Sequence, residues 1–258
     1  MSAALARAWA AVWTGWRFQV VLYVSAYALY GLARWLFVGE TAVADANAHS
    51  IVELERSLHV AVERSVQHAL DVGVLIRILN FIYLAAQLAA VPAALIWLYR
   101  RSPRVYRTLR NTILATWVLA IPVYALFPVA PPRLAHVGIV DTLAGPGPGI
   151  LDSHLATAMY NPLAAVPSLH VGFAFAVGVA CAMSLNRVWA KGLVLVWGPL
   201  VSIAVVATGN HFVFDLVAGI VITAIGYATG RALAGWLDRR ARPARTAKPP
   251  AAASSPAS

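Results

Sequence analysis

The chain has 258 residues, 60% of them hydrophobic and only 12% charged, with a mean hydropathy of +0.72. A soluble domain carries about a quarter charged residues, so the composition excludes an ordinary soluble globule and indicates an integral membrane protein. The formal net charge of +10 does not mark a nucleic-acid partner, because the basic residues sit in short stretches between apolar segments.

A spanning helix needs about 20 mainly apolar residues. The first candidate is 18–38, too long for a cleavable signal and without a small-residue cleavage site, so it is expected to be a retained helix. Segment 40–71 follows, with Glu40, Asp45, Glu53, Glu55, Glu63 and Asp71. Ile51, Leu54, Leu58 and Val62 recur there at helical spacing, which predicts an amphipathic helix on the membrane surface. The second span is 73–99, followed by a basic loop over 100–110 and a third span over 111–127. Residues 128–165 are rich in Pro and Gly (Gly145-Pro146-Gly147-Pro148-Gly149 among them) and exclude a continuous helix. The fourth span is 166–185, with Cys181 as a small core residue. A basic turn with Arg187 and Lys191 leads to the fifth, 192–208. Gly209-Asn210 breaks the chain, and 211–236 is the sixth.

These readings predict an all-α, polytopic, six-transmembrane-helix bundle with an extra amphipathic helix after the first span. Its parts are a cytoplasmic segment 1–17, a membrane domain 18–237 and a basic, disordered cytoplasmic tail 238–258. With six spans both termini lie on one side. The basic stretches at Arg100–Arg110 and Arg187–Lys191 and the tail arginines share that side, which the positive-inside rule makes the cytoplasm. Contact with anionic headgroups is a secondary role for them. The inner (plasma) membrane is the expected location. Arg133, Ser168, His170, His211 and Asp215 then converge on the extracytoplasmic face.

Titratable groups at the ends of apolar helices are costly and mark function. His211 and Asp215 are four residues apart, so on a helix they share a face. A carboxylate on one ring nitrogen fixes the imidazole tautomer and leaves the other nitrogen as nucleophile or base. Pro167-Ser168-Leu169-His170 reads as a helix start, with proline in the first turn. Such a start offers backbone N–H groups and a positive dipole end to an anion. Ser168 adds a hydroxyl and His170 a proton donor. Arg133, in the Pro-rich stretch Pro128–Arg133, is the only basic residue between Arg110 and Arg187. Its planar fork suits phosphate oxygens.

Pro131-Pro132-Arg133, Pro167-Ser168-Leu169-His170 and Asn210-His211-Phe212-Val213-Phe214-Asp215 with the trailing Ala218-Gly219 resemble the type 2 phosphatidic acid phosphatase superfamily over roughly residues 50–235. Within it the chain looks most like the branch that includes inositol phosphorylceramide synthases. The resemblance implies that His211 attacks phosphorus and forms a phosphohistidine, that Asp215 orients it, and that His170 protonates the leaving oxygen and then activates the acceptor. It implies an amphiphilic lipid phosphate or phospholipid substrate in the bilayer, with no metal and no other cofactor. Arg133, Ser168, helix N–H groups and Asn210 would hold the phosphate. The superfamily's usual lysine ahead of the arginine is replaced here by Leu126, and its Ser-Arg ahead of the histidine by Ala204 and Val205. Fewer cations favour a phosphodiester over a monoester.

The function expected is therefore an integral membrane lipid phosphatase or phosphotransferase. One alternative is a headgroup phosphotransferase moving an inositol-phosphate-type group to a lipid or polyol acceptor. A non-enzymatic transporter or structural protein is a second, disfavoured by the absence of a sequence repeat. A zinc site among His136, Asp152, His154, His170, His211 and Asp215 is a third, and their spacing matches no tight ligand pattern. His49, His59 and His68 read as surface residues.

Overall fold

The structure, a computed structural model, describes residues 15–36, 39–143 and 163–241. Residues 1–14, the stretch with Gly145–Gly149, Asp152 and His154, and the tail from 242 onward lie outside the described residues. The described chain is helical, with no strand among the described residues beyond an isolated parallel bridge between Val129 and Ala164. In chain order the helices are α1 (Trp16–Leu36), α2 (Thr41–Ser57), α3 (Glu63–Leu70), α4 (Gly73–Ala85), α5 (Val91–Arg101), α6 (Pro103–Leu126), α7 (Leu169–Ser184), α8 (Val188–Leu195), α9 (Trp197–Ala207) and α10 (Val213–Ala241). A π-helical turn, Ala86–Ala90, joins α4 to α5 in one 29-residue apolar rod.

All six expected spans are helical, but four units are each long and apolar enough to cross a membrane: Gly73–Arg101, Pro103–Leu126, Val188–Ala207 and Val213–Trp236. α1 qualifies only together with α2, from which it is bent by 100°. α7 has 16 residues, short of the usual 20 or so. The bundle is thus a membrane helical bundle with four or five spans by length and composition.

Two local expectations are corrected. The basic loop over 100–110 is helix except at Ser102, because Pro103 is tolerated at the first position of α6. The acidic segment forms two helices, α2 and α3, parted at His59, whose φ of 57° is left-handed. The apolar stripe of this segment turns away from the bundle. Leu54, Leu58 and Val62 are exposed, and the buried line is Ala44, Ala48, Ile51 and Glu55. Small alanines let α2 approach the bundle closely, which leaves the larger apolar side chains to face outward, toward lipid.

An aromatic core fixes α1 to α6. The Tyr23, Tyr27 and Tyr30 rings lie 5.5, 5.7 and 5.7 Å from Trp117, and Phe173 of α7 packs on its other side. At one end of α1, Gln19 accepts hydrogen bonds from Tyr106 and Arg110. Arg34 lies 15 residues further along the same helix, about 22 Å at 1.5 Å per residue. The basic end of α6 and the Arg34 end of α1 are therefore opposite ends of the bundle.

α7 and α10 cross in backbone contact because both carry glycine at the crossing. A side chain at Gly172 would collide with the Gly219 carbonyl and Thr223, and one at Gly219 with the Ser168 backbone. Small residues at membrane helix crossings allow this approach. Gly219→Ala should therefore lower both the thermal midpoint in detergent and any activity, since overpacking against rigid backbone costs about 1–3 kcal/mol. Gly192→Ala, where an added methyl meets nothing within 4 Å, is the control. Equal midpoints for the two variants would contradict the crossing argument.

Candidate active site

The Asn210–Asp215 segment starts α10, and its geometry differs from a simple helical pair. His211 lies two residues ahead of the helix, which begins at Val213. Asp215 Oδ2 accepts the Phe212 N–H at 2.9 Å and stands 3.1 Å from His211 Nδ1. A carboxylate in the first turn that reaches back to the N–H before the helix is half of a capping box. Here the same oxygen also holds the imidazole, so one residue both starts the helix and orients His211. Gly209, at φ 69°, makes the reversal that delivers this segment, and its carbonyl accepts the Arg133 N–H at 2.9 Å.

α7 begins at Leu169, with Ser168 as its cap and Pro167 just outside rather than in the first turn. The Ser168 N–H donates to the Asp215 carbonyl at 3.0 Å, which locks the two helix starts together. His170 and His211 thereby face each other, with ring centroids 6.0 Å apart. Tyr83 packs on His170 at 4.4 Å between centroids. Both histidines and Asn210 line a cavity of about 390 Å³, counting its open mouth.

The remaining sequence-predicted residues stand around this cavity without lining it. Arg133 donates from Nε to Asn210 Oδ1 at 3.1 Å and from NH1 to Asp141 at 2.8 Å. Asn210 in turn donates to Thr208 Oγ1 at 2.8 Å. Ser168 is fully buried, and its hydroxyl has no hydrogen-bond partner. A buried, unsatisfied hydroxyl is rare and calls for a reason such as a bound group. Exposed His49, His59, His68 and His136 take no part. Among the described residues no group of three or more His, Cys, Asp or Glu side chains is arranged to hold a metal ion.

Several residues at the site were not singled out in the sequence. Arg34, Tyr30, Tyr83, Gln87 and Tyr124 all line the cavity. Tyr30 donates to the Tyr124 hydroxyl at 3.3 Å, and Tyr124 donates to the Pro167 carbonyl at 3.1 Å. That chain ties α1 and α6 to the start of α7. Gln87 sits in the π-helical turn, a feature frequent at functional sites. The signal in the sequence was present but diffuse: polar side chains inside otherwise apolar spans.

Glu55 and Glu63 also escaped notice as acidic surface residues. Both are buried, and Glu55 Oε1 accepts the Phe214 N–H at 2.7 Å while Glu63 Oε1 accepts the Val213 N–H at 2.9 Å. Three consecutive N–H groups at the start of α10 thus meet three carboxyl groups, which satisfy donors that a helix start leaves without partners in the helix. The Ala44–Ala48–Ile51–Glu55 spacing of small and buried positions was the available clue. Burial, together with the charges of Glu63 and Asp215, pushes the Glu55 carboxyl up to about 8, against the pull of the Phe214 N–H. At neutral pH Glu55 therefore keeps its proton. A carboxyl with a raised folded value stabilises fully below its ordinary value of 4.5 and loses that contribution as pH rises through about 8. The thermal midpoint should fall as pH rises from about 4.5 to about 8 and level off above that, and Glu55→Gln, which cannot titrate, should flatten the fall. Parallel curves for the two proteins would refute this.

A family model described as the PAP2 superfamily matches residues 49–229, which include both histidines, Asp215, Arg133, Glu55 and Glu63. The chain belongs to the PAP2 superfamily. No curated protein and no solved structure matches it. PAP2 members are phosphoryl-transfer enzymes, which assigns the chain to the phosphatases and phosphotransferases. The matched PAP2 segment ends short of α1, so Arg34 and Tyr30 are contributed to the cavity from outside it. At the PAP2 positions where the sequence departs from expectation, Leu126 is exposed and Ala204 and Val205 are buried.

Proposed function

We propose that the protein cleaves a phosphoester of an amphiphilic lipid phosphate through a phosphohistidine. The observation that carries this reading is the pair of imidazoles at two separate helix starts, 6.0 Å apart across one cavity, one of them held by a buried carboxylate. His211 Nε2 attacks phosphorus. The N–P bond forms, the P–O ester bond breaks, and the departing oxygen takes the His170 proton. His170 then removes a proton from the acceptor, whose oxygen attacks phosphorus and releases His211. Asp215 keeps the His211 proton on Nδ1 and offsets the positive charge that develops there. The anionic substrate supplies the counter-charge that lets a buried His170 carry its proton. Arg133, Ser168 and Asn210 form the polar wall behind the phosphate. Phosphoryl transfer needs this kind of positioning and charge stabilisation above all.

In this reading six segments cross the inner membrane, with α7 and α1 completing the four longer units. Both termini and the basic end of α6 face the cytoplasm. The site, at the opposite end, opens to the extracytoplasmic side. A cysteine-accessibility scan with an impermeant thiol reagent tests the orientation.

Transfer of a headgroup from a phosphodiester, as in inositol phosphorylceramide synthases, is the second reading. Apolar residues at 126, 204 and 205 favour it, because a diester carries less charge than a monoester. The deciding experiment incubates purified protein with labelled phosphatidic acid, lipid pyrophosphates and glycerophosphodiesters. Free phosphate identifies a phosphatase and a new lipid identifies a transferase. No turnover of any of them, or turnover that persists without His211, overturns the proposal.

A further inference from the structure

α3 has eight residues, too few to cross a membrane. Its buried face carries two polar side chains, Glu63 and Gln67, one turn apart and so on the same side of the helix. Buried polar groups are costly unless they are hydrogen-bonded, and both residues bond to segments of the candidate site. Glu63 Oε1 accepts the N–H of Val213, two residues after His211, at 2.9 Å. Gln67 takes both backbone groups of Val140: its Oε1 accepts the N–H at 2.8 Å and its Nε2 donates to the carbonyl at 2.9 Å. The same Nε2 donates to the Ala207 carbonyl at 3.2 Å, at the end of α9. Val140 is followed by Asp141, whose Oδ2 receives Arg133 NH1 at 2.8 Å. Neither His211 nor the 137–143 stretch is helical, so bonds from neighbouring elements, rather than a helix of their own, hold them in place.

We propose that Glu63 and Gln67 are positioning residues that fix the separation between the His211 segment and the Arg133–Asp141 pair, with α3 as the rigid spacer between them. This rests on the phosphoryl-transfer reading of the same cavity. Each residue acts through another. Glu63 holds the backbone that follows His211, and so sets where the imidazole stands. Gln67 holds the backbone next to Asp141, and so sets where the Arg133 guanidinium stands. In-line attack tolerates little error, since a displacement of about 1 Å can cost about a hundredfold in rate. The Val213 N–H asks for an oxygen at a fixed reach from α3. The role of Glu63 therefore depends on the length of its side chain and not on its ionisation.

The test uses the full-length protein in detergent with two chromogenic probes, p-nitrophenyl phosphate and bis(p-nitrophenyl) phosphate. Rates are taken on the folded size-exclusion peak, with the probe that the wild type turns over in a His211-dependent manner. Glu63→Gln keeps the length and an acceptor oxygen but cannot ionise, and its kcat should stay within about twofold of the wild type. Glu63→Asp keeps the carboxyl group but draws it back by one methylene, and its kcat should fall about tenfold to a hundredfold with KM little changed. Gln67→Met keeps the length and loses the bonds to Val140 and Ala207. Its KM should rise about tenfold with kcat little changed, because Arg133 serves the phosphate in the ground state and the transition state alike. Ser65→Ala, on the exposed side of the same helix, should match the wild type. The opposite order at Glu63, with activity lost in Glu63→Gln and kept in Glu63→Asp, overturns the proposal. Wild-type kinetics in both Glu63→Asp and Gln67→Met overturn it and leave the phosphoryl-transfer reading standing. An equal loss in Ser65→Ala also overturns it, since the effect is then one of folding. Should Glu63→Asp fail to fold, a loss of kcat in Glu63→Gln or an unchanged KM in Gln67→Met still overturns it. Absence of His211-dependent turnover of either probe in the wild type removes the phosphoryl-transfer reading and the proposal with it.

Discussion

Replacing His211 with alanine should abolish turnover, by about ten-thousandfold or more, while the protein still folds. The size follows from removing the nucleophile of a two-step displacement, where no neighbouring group can take over the covalent role. Folding should survive because the helix start does not depend on the imidazole. Asp215 still accepts the Phe212 N–H, and Glu55 and Glu63 still accept those of Phe214 and Val213. Size-exclusion elution and thermal midpoint should match the wild type. Trapping with labelled substrate should show an acid-labile phosphoprotein in the wild type and none in the variant. Asp215→Asn should cost less, about a hundredfold to ten-thousandfold, because an amide facing Nδ1 stabilises the wrong imidazole tautomer. Near-normal turnover in His211→Ala would remove His211 as nucleophile.

His170→Ala carries the second largest expected effect, and its signature is a dependence on the leaving group. A general acid contributes about a hundredfold to ten-thousandfold when the departing oxygen is basic. An alkyl phosphoester leaves as a strongly basic alkoxide and needs the His170 proton. A nitrophenyl ester leaves as a stabilised phenolate and needs little help. The variant should therefore slow alkyl esters by about that full factor and nitrophenyl esters far less in the first step. Single-turnover release of nitrophenol against release of a glyceryl or alkyl alcohol makes the comparison directly. Equal slowing of both would show that His170 acts on something other than leaving-group protonation. Tyr83, packed on the His170 ring, helps to hold it facing His211.

Much of the site was legible in the sequence, and the reason is local. His211 and Asp215 interact through four residues of separation, so their pairing needs only the start of a helix. Pro167-Ser168-Leu169-His170 carries its own punctuation, and the breaks at Gly209 and around Pro128–Pro132 are written in residues with few backbone options. The details moved by small amounts. α10 starts at Val213 and α7 at Leu169, so His211 and Pro167 lie outside the helices they introduce. That shift changes the physics of the dyad: Asp215 acts on His211 from the capping position, with an oxygen already fixed by the backbone.

Arg34, Glu55 and Glu63 were not legible as site residues, because each is brought to its place by contacts far away in sequence. Glu55 meets the Phe214 N–H across 159 positions, and Glu63 meets that of Val213 across 150. In isolation α2 offers two stripes, a larger apolar one at Leu54 and Leu58 and a smaller one at Ala44 and Ala48. Side-chain size argues for burying the first, whereas close approach to the bundle requires burying the second. In a membrane protein the larger stripe loses little by facing lipid, so packing decides.

The sequence by itself determined the membrane class, the order of the helices and the pairing of His211 with Asp215, since these depend on apolar run length and on spacings within about one helical turn. Only the tertiary structure decided which arginine enters the cavity, which carboxylates turn inward and how close the two imidazoles stand. Those depend on the rotation and crossing distance of helices, which glycines such as Gly172 and Gly219 set by letting one backbone rest on another.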